Sequence, residues 1–434
     1  MRKLPDDNVM SEREGLKRRA FLKAGGLALV SLGVGPSFLH RAAWGAAGAQ
    51  AFRRRKVLVT IFQRGAMDGL MAVPPAEDAN LRRLRPRLAM SLARNAGPEG
   101  ALDLGVGFGL HPALAPLESY WKDRRLAIVH AVGSPDATRS HFDAQDYMES
   151  GTPGRKGTPD GWLNRVVGQL GHEASPFRAV SLTNAMPRSL YGDEPALAVA
   201  DLRRFRVDLP ETAGVGEVAS RGFESLYAET SQRLLQDTAQ DTFEAMETLD
   251  KLDVSRYRPA RQARYPRSPL GRALQQIAFL IKSDVGLEVA FAESGGWDTH
   301  VQQGTAQGSF ARRAGDLAQS IHAFWTDLGT YRDDVTLMTM TEFGRTVAEN
   351  GSGGTDHGHG SCLFILGGEV DGGRVHGTFP GLDRDSLYEG RDLPVTTDFR
   401  AVFSEVAGHH LRIADRSTLF PGWSGKGLPL FLRG

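Results

Sequence analysis

Six runs of the chain are apolar or β-branched with little alternation: Lys56–Phe62, Arg125–Val132, Ala179–Leu182, Leu287–Ala292, Val335–Thr341 and Cys362–Leu366. That pattern predicts strands covered on both faces. Between them lie segments with apolar residues at helical spacing. They are Leu110 to Lys122, Asp160 to Leu170, Glu217 to Leu252, Pro269 to Lys282, Ala311 to Leu328 and Asp398 to Leu411. The recurring order of strand, loop and helix predicts an α/β fold. Its mostly parallel central sheet would have helices on both faces and right-handed crossovers. Residues 183–267 interrupt that order and read as a cap or insertion within one domain, residues 51–434. Residues 253–267, rich in Arg, Tyr and Pro, read as a solvated basic linker.

Acids and imidazoles collect where the strands end. Glu342 follows Val335–Thr341, and a Gly-rich loop then carries Asp356, His357 and His359. His376 closes the next Gly-rich loop, and Gly295-Gly296-Trp297-Asp298-Thr299-His300 follows an upstream strand. Open α/β sheets build their sites at the carboxyl ends of strands. Carboxylates mixed with imidazoles there are donors for divalent metals such as Zn, Mn, Mg or Ca. The size of the set favours two ions, the arrangement that clamps the attacking and leaving oxygens of a displacement. Asp298 and His300 are two apart, and Asp356 and His357 are adjacent, so both pairs need loop rather than helical backbone.

Two more stretches join the candidate site. Asp68 follows the first strand and reads as a ligand, an anchor or a cap. Arg139, Ser140 and His141 follow the second strand and form the candidate catalytic set. Ser140 is placed to cap a helix or, at the positive end of its dipole, to act as nucleophile. Arg139 beside it would clamp an anion. His111 and the pair His409-His410 read as structural.

Composition narrows the classes. The chain has 434 residues, 41% hydrophobic and 24% charged, with a formal net charge of +1. This is ordinary globular composition with no electrostatic case for nucleic acid. The single cysteine, Cys362, excludes an internal disulfide and reads as apolar filler in a strand. No haem, flavin or Fe–S signature is present. Residues 1–50 read as a targeting segment. Lys17-Arg18-Arg19-Ala20-Phe21-Leu22-Lys23 resembles the twin-arginine export motif. A Gly-rich apolar run too short for a stable transmembrane span follows, then the small residues Ala47-Gly48-Ala49. This predicts export by the twin-arginine machinery to the periplasm or beyond, with no stable membrane segment after processing.

The stretches FQRGAMDGL, LHPAL, RSHFDAQDYMESG, DGWLNR, GGWDTH, TEFGRT, GTDHGHG and PVTTDFRAVF resemble the DUF1501 family over about Val57 to Leu411. That family is in turn distantly similar to the alkaline phosphatase/sulfatase superfamily. The wider resemblance implies a two-metal hydrolase or transferase acting on a small anionic phosphate or sulfate ester. Ser140 would be the nucleophile, and Asp68, Asp298, His300 and His376 would be ligands. Glu342 competes with Asp356-His357 for the remaining ligand place. Cys362 lacks the sequence context of a sulfatase nucleophile. Shorter spacing at Asp298/His300 and the late position of Asp68 leave a second reading, a non-catalytic exported binding protein.

Overall fold

A computed structural model describes residues 29–30, 55–171, 175–205, 245, 248–249, 252 and 254–432. Of residues 1–50, expected to be an export segment, only β1 (Leu29–Val30) lies among them, and most of the helix expected over Glu217–Leu252 lies outside them. The strands that follow are β2 (Val57–Arg64), β3 (Leu102–Asp103), β4 (Gly109–Leu110), β5 (Leu126–Gly133), β6 (Ala179–Ser181) and β7 (Leu197–Ala198). Then come β8 (Val289–Gly295), β9 (Val335–Met340), β10 (Ser361–Gly367), β11 (Arg374–His376) and β12 (Thr397–Asp398). The central sheet runs β1-β7-β6-β8-β2-β9-β10-β5-β11, with β12 also on β5, while β3 and β4 form a separate hairpin.

The fold is the expected α/β arrangement. β7, β6, β8, β2 and β9 are parallel neighbours, and helices cover both faces. Alternate residues of β2 divide between two cores: Val57, Val59 and Ile61 on one face, Leu58 and Phe62 on the other. This is the period-two geometry of a strand buried on both sides. The helices Pro269–Lys282 and Ser309–Leu328 cover the first face; Trp162–Gln169 and Phe399–His410 cover the second. Cys362 is buried, as read from its strand, and burial pushes its thiol well above the usual range.

Two details differ from the sequence reading. β10 is antiparallel to both β9 and β5. Residues 341–360 contain no helix to carry the chain back across the sheet, so it reverses directly. The Asp356-His357 loop therefore leads into β10 and lies beside the carboxyl end of β9. The helix expected from Leu110 is instead a 3-10 segment, Pro112–Leu117, leading into a short helix, Glu118–Lys122. Pro116 lacks the N–H that a regular α-helix needs there.

Candidate functional site

Four loops meet at one end of the sheet. They follow β2, β5 and β8, and the fourth joins β9 to β10. Backbone contact packs them tightly. Gly65, with φ 115°, approaches so closely that a Cβ there would lie 2.6 Å from the amide nitrogen of Asp298. At Gly354 a Cβ would lie 2.4 Å from the His300 carbonyl. Only glycine permits both approaches without displacing the loops.

Four side chains converge there. His300 Nε2 is 2.9 Å from His357 Nε2 and 3.0 Å from Asp298 Oδ1. His357 Nε2 is 3.2 Å from Asp298 Oδ1, and His141 Nε2 is 3.6 Å from Asp298 Oδ2. Donors about 2 Å from one ion at tetrahedral angles would stand about 3.3 Å apart. These four spacings lie close to that value. His141, Asp298 and His357 alone place donor atoms within 4.8 Å of one another.

The opposite edge of each imidazole fixes which nitrogen faces the centre. His141 Nδ1 lies 2.8 Å from Glu342 Oε1, and His300 Nδ1 lies 3.1 Å from Asp356 Oδ1. His357 Nδ1 lies 2.9 Å from the Arg139 carbonyl oxygen. All three partners only accept, so each Nδ1 carries a proton and each ring turns its Nε2 inward. His141 Nε2 is buried with no hydrogen-bond partner. The structural histidines do the reverse. His111, His130 and His410 donate from Nε2 to the carbonyls of Thr305, Val73 and Val57. Their Nδ1 atoms face the Ala113 and Ala131 amides and the Thr336 hydroxyl. Both nitrogens of those rings are closed; at the site His141 Nε2 is open, and the Nε2 atoms of His300 and His357 turn to each other and to Asp298, with Arg345 Nη1 3.5 Å from His300 Nε2.

The family model described as "Protein of unknown function (DUF1501)" matches residues 110–420. The chain belongs to this family. No curated protein and no solved structure matches it. The DUF1501 match contains all four converging residues, together with Glu342 and Asp356, and begins after Asp68.

The carboxylates of the DUF1501 site divide by task. Glu342 is fully buried and its Oε1 accepts from His141 Nδ1, Gly65 N (2.8 Å) and Gln145 Nε2 (2.9 Å). Burial opposes its ionisation, but these donors hold the carboxyl below its usual range. Asp356 receives Asn350 Nδ2 as well as His300, and Asn350 is the main cause of its lowered pKa. Glu342 and Asp356 thus orient imidazoles, and Asp298 alone among the acids faces the centre. Burial also opposes ionisation of Asp298, but Arg345 and His300 outweigh it. The hydrogen bond to Glu342 raises the pKa of His141, whereas burial lowers that of His357.

Sequence reading passed over Arg345, within TEFGRT. Its guanidinium is wholly buried under the site and donates to Asp298 Oδ1 at 2.6 Å. It also donates to the carbonyls of Ala66 (3.0 Å), Thr355 (3.2 Å) and Trp297 (3.2 Å), tying three loops together. A lone arginine just after a buried strand was the available signal, because a guanidinium there needs acceptors from several loops.

Other expected residues sit elsewhere. Asp68 caps the short helix Gly69–Ala72 and forms a buried two-point ion pair with Arg85 (2.8 and 3.1 Å). It also accepts from Gln303 Nε2 at 2.7 Å, and Gln303 Oε1 accepts from Thr299 and Thr355. Asp68 thus braces the residues beside His300 and Asp356 instead of joining the donors. His376 lies on the edge strand β11, with Nε2 bonded to the Asp371 carbonyl at 2.9 Å. Arg139 pairs with Glu389 and Asp392, both at 2.7 Å, so its charge is committed. Ser140 stands exposed at the N-cap position of the helix His141–Ser150 without a side-chain cap bond. The two-ion expectation thus meets a single convergent donor group among the described residues.

Proposed function

We propose that this DUF1501 chain holds one divalent metal ion on His141, Asp298, His300 and His357. In this reading it acts as a hydrolase or transferase on phosphate or sulfate esters. One observation carries the reading: three Nε2 atoms and a carboxylate face one another while every Nδ1 is engaged behind them. An extra proton would relieve one contact; a metal ion would satisfy all four. Rings backed by carboxylates or carbonyls are the usual support of metal-ligating histidines. Three imidazoles with one carboxylate favour Zn or Mn over the harder Mg and Ca.

Such an ion supplies Lewis acidity towards an ester oxygen. The chain's own residues account for the rest. The free amides at the start of the helix His141–Ser150 offer an anion a positive dipole end. Ser140, exposed beside His141, is the candidate nucleophile. With Arg139 committed to two carboxylates, the helix terminus is the more available anion-binding feature. That commitment, and the single donor group, also favour the second reading, a non-catalytic exported binding or surface-partner protein that keeps the fold. Metal analysis and an ester panel separate the two. Bound Zn or Mn that is lost in His141→Ala and His357→Ala, together with turnover, supports the enzyme. Bound metal without turnover sinks the enzyme and leaves the metal site, and absence of bound metal after supplementation sinks the metal site and supports the non-catalytic protein.

We further propose export by the twin-arginine machinery to the periplasm or beyond, on the motif around Arg18-Arg19. Lysine at both positions is expected to keep the protein in the cytoplasmic fraction. Unchanged export of that variant would refute the assignment.

A further inference from the structure

The helix pair Pro269–Lys282 and Ser309–Leu328 carries an unusual loop at one end. Between Val254 and Ser283 the chain has Arg256, Arg258, Arg261, Arg264, Arg267, Arg272 and Lys282, and no acid. All six arginines are exposed. Arg258, Arg261, Arg264, Arg267 and Arg272 make no ion pair among the described residues.

The loop is nevertheless tied down. Tyr257 and Tyr265 donate their hydroxyls to Asp327 Oδ2 at 2.6 and 3.0 Å. The Ala260 amide and Lys282 Nζ reach Asp327 Oδ1 at 2.7 and 2.9 Å. The Asp327 side chain is wholly buried, so one carboxylate gathers four donors and fixes both ends of the loop. Pro259 and Pro266 stiffen it further. The charges are thus displayed on ordered backbone, which lowers the entropy lost on docking.

Chain direction places this face. The helix Ser309–Leu328 starts beyond the carboxyl end of β8 and returns to the first residue of β9. Asp327, near its end, therefore lies at the pole opposite the donor group. β2 begins at the same pole, with Val57 beside Val335, and there Arg55 and Lys56 pair with Glu288, Asp334 and Glu369, so these two add no unpaired charge to that of the loop.

We propose that this face docks the chain on the phosphate-bearing surface of an anionic lipid bilayer, with the donor group turned away from it. Guanidinium forks match phosphate oxygens two at a time. A bilayer supplies many phosphates that can adjust laterally to the spacing of the arginines. Both tyrosines turn inward to Asp327, which removes the stacking platforms that single-stranded nucleic acid requires. Each arginine near an anionic bilayer strengthens partition about 5-fold, so three contribute about 100-fold, and the attraction is screened by salt.

The test is co-sedimentation of the full chain with vesicles of phosphatidylcholine, with and without about 30 mol % phosphatidylglycerol. Wild-type protein is expected to pellet with the anionic vesicles only and to be released by high salt. The variant R258Q/R261Q/R264Q is expected to bind about 100-fold more weakly with an unchanged thermal midpoint. A variant with the same charge change elsewhere, R83Q/R384Q/R412Q, is expected to keep binding. The proposal is overturned by equal pelleting with neutral vesicles, by no pelleting of the wild type, or by equal loss in the matched variant. Tighter binding to a DNA or RNA oligomer, lost in R258Q/R261Q/R264Q, overturns it too and assigns the loop to nucleic acid.

Discussion

Replacing Glu342 by Gln isolates the charge behind His141. The side chain is wholly buried, and its Oε1 accepts three hydrogen bonds of 2.8 to 2.9 Å from His141, Gly65 and Gln145. A glutamine oxygen in the same place keeps all three. Its NH2 then faces Thr341 Oγ1, which is 3.2 Å from the present Oε2. Shape is conserved while three charge-assisted bonds become neutral, a loss of about 1 kcal/mol each. Release from burying an anion offsets part of that, leaving a net stability loss of about 1–2 kcal/mol. The effect on metal is the sharper readout. Removing such a partner weakens metal affinity about 10- to 100-fold, equivalent to about 1.4–2.7 kcal/mol. The assay is competition for Zn(II) against a chromophoric chelator, with Glu288→Gln as control. Glu288 is also buried, but it pairs with Arg178 at the opposite end of β8. If E342Q binds Zn(II) within two-fold of wild type, or if E288Q loses as much, the assignment of Glu342 is wrong.

Three other outcomes are expected. Arg345→Met leaves Asp298 and three carbonyls without their buried donor and should cost about 3–5 kcal/mol, read by urea titration; a loss under about 1 kcal/mol would refute its bridging role. Ser140→Ala removes an exposed hydroxyl without a cap bond, so stability should hold within about 0.5 kcal/mol and metal content should not change. Turnover should vanish, and full ester activity in this variant would dismiss Ser140 as nucleophile. Burial lowers His111, His130 and His410 to about 4 in the fold, against about 6.5 when unfolded. Because the unfolded chain binds more protons between those values, their stabilisation is complete above pH 6.5 and is lost as pH falls towards 4. Each is worth about 3 kcal/mol, and His130→Gln should reduce the slope of unfolding free energy against pH by about one proton. An unchanged slope would refute the contribution of His130.

The sheet was legible because its inner strands are buried on both faces. Val57 to Phe62 and Val335–Met340 are continuous apolar or β-branched runs. The direction of β10 was less so, although residues 341–360 hold no helix and a parallel return needs a crossover. The loops that carry the converging side chains were legible for a related reason: glycine, acid and histidine coincide in GGWDTH and GTDHGHG, which follow or precede a strand. Partners were not legible. Asp68 meets Arg85, 17 residues away, and His141 meets Glu342, 201 residues away. Nothing local in either stretch signals such pairs.

That difference explains why the count of acids suggested two ions while the geometry gathers one convergent group among the described residues. A carboxylate beside a histidine can bind a metal directly, or it can hold the proton of Nδ1 and turn Nε2 towards the metal. Sequence cannot separate these tasks, because both place the same residue types on the same Gly-rich loops. Tertiary contact does separate them. Glu342 and Asp356 each spend an oxygen on an Nδ1–H, and the Arg139 carbonyl does the same for His357. Asp298 has no such Nδ1 partner; Arg345 grips its Oδ1 from below, and both its oxygens face Nε2 atoms. The question left by the sequence, whether Glu342 or the Asp356-His357 pair supplies the donor, therefore has a divided answer: His357 faces the centre, and both acids stand behind rings.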